Sequence, residues 1–169
     1  DYIKVNEANE KDVPFSEQDV KESILRTITR DYREVTDIAP DMRMTLHNAA
    51  HILGSASVHL NIGEGRHNFV YSADMKYGMT RLFDNIDIRY PRIETLMIES
   101  TYGSKDAIQT PRGEAEDQLL KAIKETKAFG GSVLMPVFGV GRGQELAMVI
   151  ESFYKKGLIS FVTEAQMNK

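Results

Sequence analysis

Two short stretches between residues 42 and 72 alternate roughly between apolar and polar side chains, and that short period constrains the fold more than any other feature. Met42 to His47 and Val58 to Ile62 alternate apolar with polar side chains, the pattern of strands with one face toward a core. Gly63, Glu64 and Gly65 supply a turn and Phe69 to Tyr71 a return strand, so residues 56–72 are predicted to form a β-hairpin. Upstream, Ser16 followed by Glu17, Gln18 and Asp19 reads as a capped helix start. Val20, Ile24, Leu25 and Ile28 then recur at helical spacing, predicting a helix over 17–31.

Downstream, strands and helices alternate. Thr95 to Ile98 is a short apolar run that ends at Glu99. Thr110 and Pro111 open a helix as N-cap and first helical residue, Leu119, Leu120 and Ile123 form its apolar stripe, and Gly130 stops it. Val133 to Phe138 has the pattern of a buried strand, and "GVGRG" leads into a helix over 144–156 that stops at Gly157. Strand, helix, strand, helix after residue 94 predicts an α/β fold with a parallel layer.

The 169 residues, 41% of them hydrophobic, suit one ordinary domain or parts of two. With no cysteine, disulfides and thiolate ligands are excluded, and a metal would have to be held by imidazole and carboxylate. The longest apolar run, Val133 to Val140, falls far short of the ~20 residues of a membrane span, and no secretory leader opens the chain. The expectation is a soluble cytoplasmic protein with no membrane partner. A net charge of −4 argues against a wholly nucleic-acid-binding surface but leaves room for a local basic groove. Lys76, Arg81, Arg89 and Arg92 form such a cluster, or else a solvated loop carrying cations. The first residue is Asp1 and not Met, which suggests a piece of a longer polypeptide.

His51, Asp74 and Glu99 each stand at or just after the carboxyl end of a predicted strand, and in layered α/β structures such ends can converge on one rim. An imidazole and a carboxylate with two oxygens suit metal ligation. Glu99 suits ligation or the polarising of an acid-base partner. Each also has a plain structural reading, as a satisfied histidine, a turn-forming aspartate and a solvated strand end. His47 and His51, four apart in "HNAAHILGSA", would share a face only on a helix. His47, His59 and His67 fit strand positions and are assigned structural roles. "GVGRGQE" offers close backbone approach at its glycines and a helix N-terminus to an anion, with Gly141 and Arg142 as candidate phosphate- or RNA-binding residues.

Taken in order, "HNAAHILGSA", "YSADMKYG", "ESTYGS" and "GGSVLMPVFGVGRGQELAMVIE" resemble the metallo-β-lactamase nucleases with a β-CASP insertion, most closely the archaeal relatives of the cleavage and polyadenylation specificity factor endonuclease. The resemblance runs from about residue 12 to residue 159. It implies a partial αββα metallo-β-lactamase core over residues 1–103 that runs into the beginning of a β-CASP α/β domain over 104–169. His51 falls on a zinc ligand, Asp74 on the aspartate bridging two zincs, and Glu99 on the first acidic β-CASP motif, which orients a histidine near the scissile phosphate. The family's His-x-His-x-Asp-His motif appears nowhere in the sequence, so the chain would supply part of a two-zinc site. Ala50 and Ala73 stand where glycines are usual in the family, and Gly139 and Gly143 where alanines are frequent.

The implied function is part of a zinc-dependent ribonuclease hydrolysing RNA phosphodiesters in mRNA 3′-end processing or decay, inactive as this chain alone. The competing expectation is a non-catalytic or RNA-binding chain of the same fold. The implied partners are RNA and a missing N-terminal segment or second chain that supplies the remaining ligands. An incomplete core is also expected to associate with another copy or another chain through its uncovered apolar strands.

Overall fold

The computed structural model describes residues 2–160. Its internal contacts divide the chain into two compact units, one up to Asp31 and one from Tyr32 onward.

The first unit holds α1 (Tyr2–Ala8) and α2 (Glu17–Leu25). The Tyr2 and Phe15 rings stack with centroids 5.7 Å apart. Ser16 begins α2 as its sequence predicts: its hydroxyl accepts the Asp19 N–H at 3.2 Å, and the Asp19 carboxylate accepts the Ser16 N–H at 2.7 Å. The predicted end at residue 31 is six residues too late. Thr27, Ile28 and Thr29 are β-branched, and Ile24, Leu25 and Ile28 are exposed, so no packing offsets the cost of further helical turns. The Arg26 N–H instead closes the helix on Glu22.

The second unit is α/β, as expected. Its sheet has the order β1-β2-β3-β4-β5, formed by Val35–Ala39, Met42–Asn48, Ala56–Ile62, His67–Tyr71 and Thr95–Met97. The first three pairings are antiparallel and β4–β5 is parallel. The predicted hairpin is present, with Gly63 and Gly65 at φ +61° and +92° in its turn, a region open to glycine at little cost. Two helices follow, α3 (Arg112–Ala128) and α4 (Arg142–Lys155). Gly130 (φ +73°) and Gly157 (φ +67°) end them as the sequence indicated. Pro111 occupies the N-cap of α3 in extended backbone, one residue later than predicted, and α4 starts two residues early, inside "GVGRG".

The two faces of the sheet differ. His47 lies opposite Ser57, His59 opposite Val70, and Asn61 opposite Asn68, so these side chains share one face. Its centre is buried beneath the segment 86–94. Met44, Leu46, Val58, Leu60 and Phe69 share the other face and are half-buried. Among the described residues only Ala49, Ala50, Val70, Ile86, Val149 and Phe153 are buried apolar groups, the first three of them completely.

Val133 to Phe138 corrects the sequence reading. The segment is not a strand, and Leu134 and Phe138 are 91% and 81% exposed. A buried strand needs a ladder partner and a covering layer. Here β5 is the last strand of the sheet, with all three residues exposed. The parallel layer predicted beyond residue 94 is therefore limited to the β4–β5 pair. Among the described residues no helix is long and apolar enough to cross a membrane.

Burial orders the expected mutational costs in this chain. Val70→Ala, at a fully buried site, should lower unfolding stability by about 2 kcal/mol. Leu134→Ser should change it by no more than about 0.5 kcal/mol. Urea melts of both variants test the difference.

Candidate active site

Strand direction places the three candidate residues. Because β3 runs antiparallel to both β2 and β4, and β5 runs parallel to β4, strands β2, β4 and β5 all point the same way. His51, Asp74 and Glu99 follow these three strands, so the chain delivers them to one end of the sheet. Two sets of hydrogen bonds join the exits: Lys76 N–H to Ala49 O at 2.9 Å, and Glu99 N–H to the Ser72 hydroxyl at 3.0 Å. Ser72 is buried and also donates its N–H to Met97 O at 2.9 Å.

The loop after β2 is held from within. Asn48 Oδ1 accepts the Ala50 N–H at 2.8 Å, and the Ser55 hydroxyl accepts the His51 and Ile52 N–H groups at 3.0 and 3.2 Å. His51 lies on this loop, not on a helix, and is half-buried. Asp74 is exposed. The Glu99 carboxylate accepts the Thr101 N–H at 2.7 Å, and that bond is the main cause holding its pKa below the usual carboxylate range. His51 makes a smaller contribution in the same direction.

Ala50 and Ala73 immediately precede His51 and Asp74, and both adopt left-handed backbone, at φ +56° and +49°. That conformation costs a residue with a Cβ roughly 1–2 kcal/mol. Both strained turns direct the chain out of a strand toward a candidate ligand.

"GVGRG" meets the His51 loop. Gly141 has φ +82°, and a Cβ there would stand 3.1 Å from Ile52 Cγ2 and 4.0 Å from His51 O. Gly139 has open space around it and Gly143 would meet only ordinary contacts, so Gly141 alone of the three requires glycine. Arg142 heads α4 with Nη1 3.1 Å from Glu145 Oε2, and its side chain is half exposed. It can face an anion only by sharing or leaving that carboxylate.

The basic stretch divides: Arg81 is committed to distant carboxylates, Arg89 and Arg92 form exposed short-range pairs as a solvated loop would, and Lys76 has no ion-pair partner among the described residues. Arg81 makes a paired contact with Glu116 at 2.9 and 2.5 Å, and its N–H reaches Glu145 at 3.1 Å. Arg89 pairs with Asp87, and Arg92 with Glu94. These partners lie 35 and 64 residues from Arg81 or within two residues of their arginine, with no spacing signal to reveal the long-range ones.

A polar cluster that sequence reading missed lies under the segment 86–94. The Tyr90 hydroxyl is 2.6 Å from Ser57 Oγ, and its ring lies 4.6 Å from that of His47. Asp87 Oδ2, which receives Arg33 at 2.7 Å, is 3.7 Å from His47 Nδ1. Both ring nitrogens of His47 are buried without a hydrogen-bond partner. Burial pushes the His47 pKa below its usual value, against the opposing pull of Asp87.

Zinc does not fit as a complete site within the described residues. His51 and Asp74 are suitable donor types, but no three His, Asp or Glu side chains gather where they could hold an ion.

No protein-family model matches the sequence. The chain is similar to archaeal proteins named transcription termination factor FttA. It is 51% identical over 162 residues to that of Methanothermobacter thermautotrophicus, an alignment covering 96% of this chain and 26% of the relative. For Pyrococcus abyssi the identity is 50% over 94% of this chain and 24% of the relative, and for Methanocaldococcus jannaschii 47% over 95% and 25%. The chain therefore spans about a quarter of the length of these curated relatives.

Backbone geometry sets one group of expected outcomes. Ala73→Gly should raise stability, since relief of about 1 kcal/mol of left-handed strain exceeds the added freedom of the unfolded chain. Gly143→Ala should raise it by about 0.5–1 kcal/mol through helix propensity, whereas Gly141→Ala should lower it by more than about 1 kcal/mol. The urea midpoints of the three variants check this ordering.

His47 sets a pH dependence. Above its unfolded pKa of about 6.5 the ring is neutral in both states and stability is full. Below that value the unfolded chain takes up a proton that the folded chain resists, so stability falls until the lower folded pKa is passed. His47→Gln should remove this part of the slope in urea melts at successive pH values between neutral and mildly acidic.

Proposed function

We propose that this chain is part of a zinc-dependent ribonuclease of the metallo-β-lactamase and β-CASP type, acting on RNA phosphodiesters in the cytoplasm during 3′-end formation or decay. The observation that carries this reading is the common exit of β2, β4 and β5, which brings the loops of His51, Asp74 and Glu99 to one end of the sheet in the order of the motifs. His51 and Asp74 would contribute two zinc ligands, and the remaining ligands would come from outside this segment. Zinc in such a site supplies Lewis acidity toward a phosphodiester. Glu99, held by Ser72 and Thr101, would orient and polarise an acid-base partner. Arg142 and the backbone at Gly141 would meet the RNA phosphate. On this reading residues 1–103 belong to the metallo-β-lactamase core and 104–169 to the start of the β-CASP domain. The half-buried apolar sheet face supports the idea that other parts of a longer polypeptide, or a second chain, complete the fold.

A second reading is a non-catalytic, RNA-binding chain of the same fold. It is favoured by the relatives' name, which denotes transcription termination and no cleavage.

Calorimetry tests the partial site, and cleavage separates the two readings. By calorimetry the isolated chain should bind zinc weakly, and nanomolar stoichiometric binding would refute the partial-site reading. In a polypeptide that carries the missing histidine-rich segment, Asp74→Asn and His51→Ala should nearly abolish RNA cleavage, Glu99→Gln should cost less, and His67→Ala should leave it largely intact. Full cleavage by a folded Asp74→Asn protein would refute the nuclease reading.

A further inference from the structure

A cavity of about 410 Å³ lies beside the proposed rim, bounded by the segment 76–80, the start of α3 and the first two turns of α4. Its charged lining is Lys76, Arg112 and Arg142 against Glu116 and Glu145. Glu116 is shared by Arg81, which stands outside the lining, and Arg112, 4.0 Å away, whose Nη1 also donates to Met79 O at 3.3 Å, while Arg142 is paired with Glu145. Three cations against two carboxylates leave the balance at the cavity positive through Lys76, opposite in sign to the chain's net charge of −4. Lys76 has no ion-pair partner among the described residues, so its ammonium is available to an incoming anion.

The rest of the lining is of a different kind. Leu119, half-buried, and Val149, only 7% exposed, give an apolar wall, and the Tyr77 ring is exposed beside it. An apolar wall next to a cationic rim, in a volume within the usual range of small-ligand sites, suits a ligand with one flat apolar part and one anionic part. A simple anion would leave the wall uncovered. A nucleotide satisfies both halves, with its base against Leu119, Val149 and Tyr77 and its phosphate against Lys76 and Arg112.

We infer that this cavity receives one nucleotide of a single-stranded RNA, next to the strand-exit rim and joined to it through Arg142. The inference rests on the RNA reading proposed above and adds to it a base-accepting contact. Double-stranded RNA is excluded from such a contact, because its bases are paired and stacked away from the protein.

The test is equilibrium binding of a fluorescent single-stranded RNA octamer to the 169-residue chain, in chelator so that no cleavage occurs. Lys76→Glu alters the charge of the cavity, and Ala115→Trp fills it from an exposed position on α3 without changing charge. Each should weaken binding by roughly fivefold or more, the loss expected when one stacked base is displaced. Lys121→Glu, the same charge change at an exposed α3 position outside the lining, should weaken it less than about twofold. Adenosine monophosphate should displace the octamer at concentrations where inorganic phosphate does not.

Wild-type affinity in a folded Ala115→Trp chain would overturn the inference, as would equal losses from Lys121→Glu and Lys76→Glu. Equal displacement by inorganic phosphate, or equal affinity for a duplex, would overturn it as well. Because the readout is metal-free binding, its failure would leave the cleavage test of Asp74 untouched, and failure of that cleavage test would leave this one intact.

Discussion

The direction of β5 relative to β4 is the constraint on which the rest of the second unit depends. Parallel strands cannot be joined by a tight turn, so the chain needs a long crossover between Tyr71 and Thr95. That crossover has two consequences. It returns β5 in the direction of β2 and β4, which sets three strand exits at one end of the sheet. It also lays Asp87, Tyr90 and Glu94 across the face that carries His47, Ser57, His59 and Asn68.

The covered face is consequently polar, and its stability depends on pairing. Asn68 receives His59 on its side-chain oxygen at 3.2 Å and gives both its N–H and its amide to Glu94, at 2.6 and 2.9 Å. Asp87 is shared between Arg33 and Arg89. Such a layer specifies one register, because a slip of one residue would leave every member unpaired. His47 is the exception, buried without a hydrogen bond, which is why its protonation is tied to folding.

The same crossover fastens outward. Arg81 reaches α3 through Glu116 and α4 through Glu145, while Gly141 brings the head of α4 against Ile52 in the His51 loop. Strained turns at Ala50 and Ala73 are held by this surrounding network. The apolar face of the sheet, by contrast, stays half-buried, so the hydrophobic contribution to this unit is small for its length.

Local chemistry alone determined the hairpin at Gly63–Gly65, the Ser16 cap, the stops at Gly130 and Gly157, and the placement of His51, Asp74 and Glu99 after strands. Each depends on residues a few positions apart, whose dihedral preferences and periodicity act before any distant contact forms. Tertiary structure decided what depends on partners far along the chain. Val133 to Phe138 has the composition of a buried strand, yet it stays exposed because no neighbouring strand or layer meets it. Arg81, Arg89 and Arg92 look like free cations in sequence, yet each is committed to a carboxylate. The left-handed turns at Ala50 and Ala73 run against the local preference of alanine; Asn48 and Ser55 hold the first from within its loop, and the bonds from Lys76 to Ala49 and from Glu99 to Ser72 tie the separate strand exits together around both.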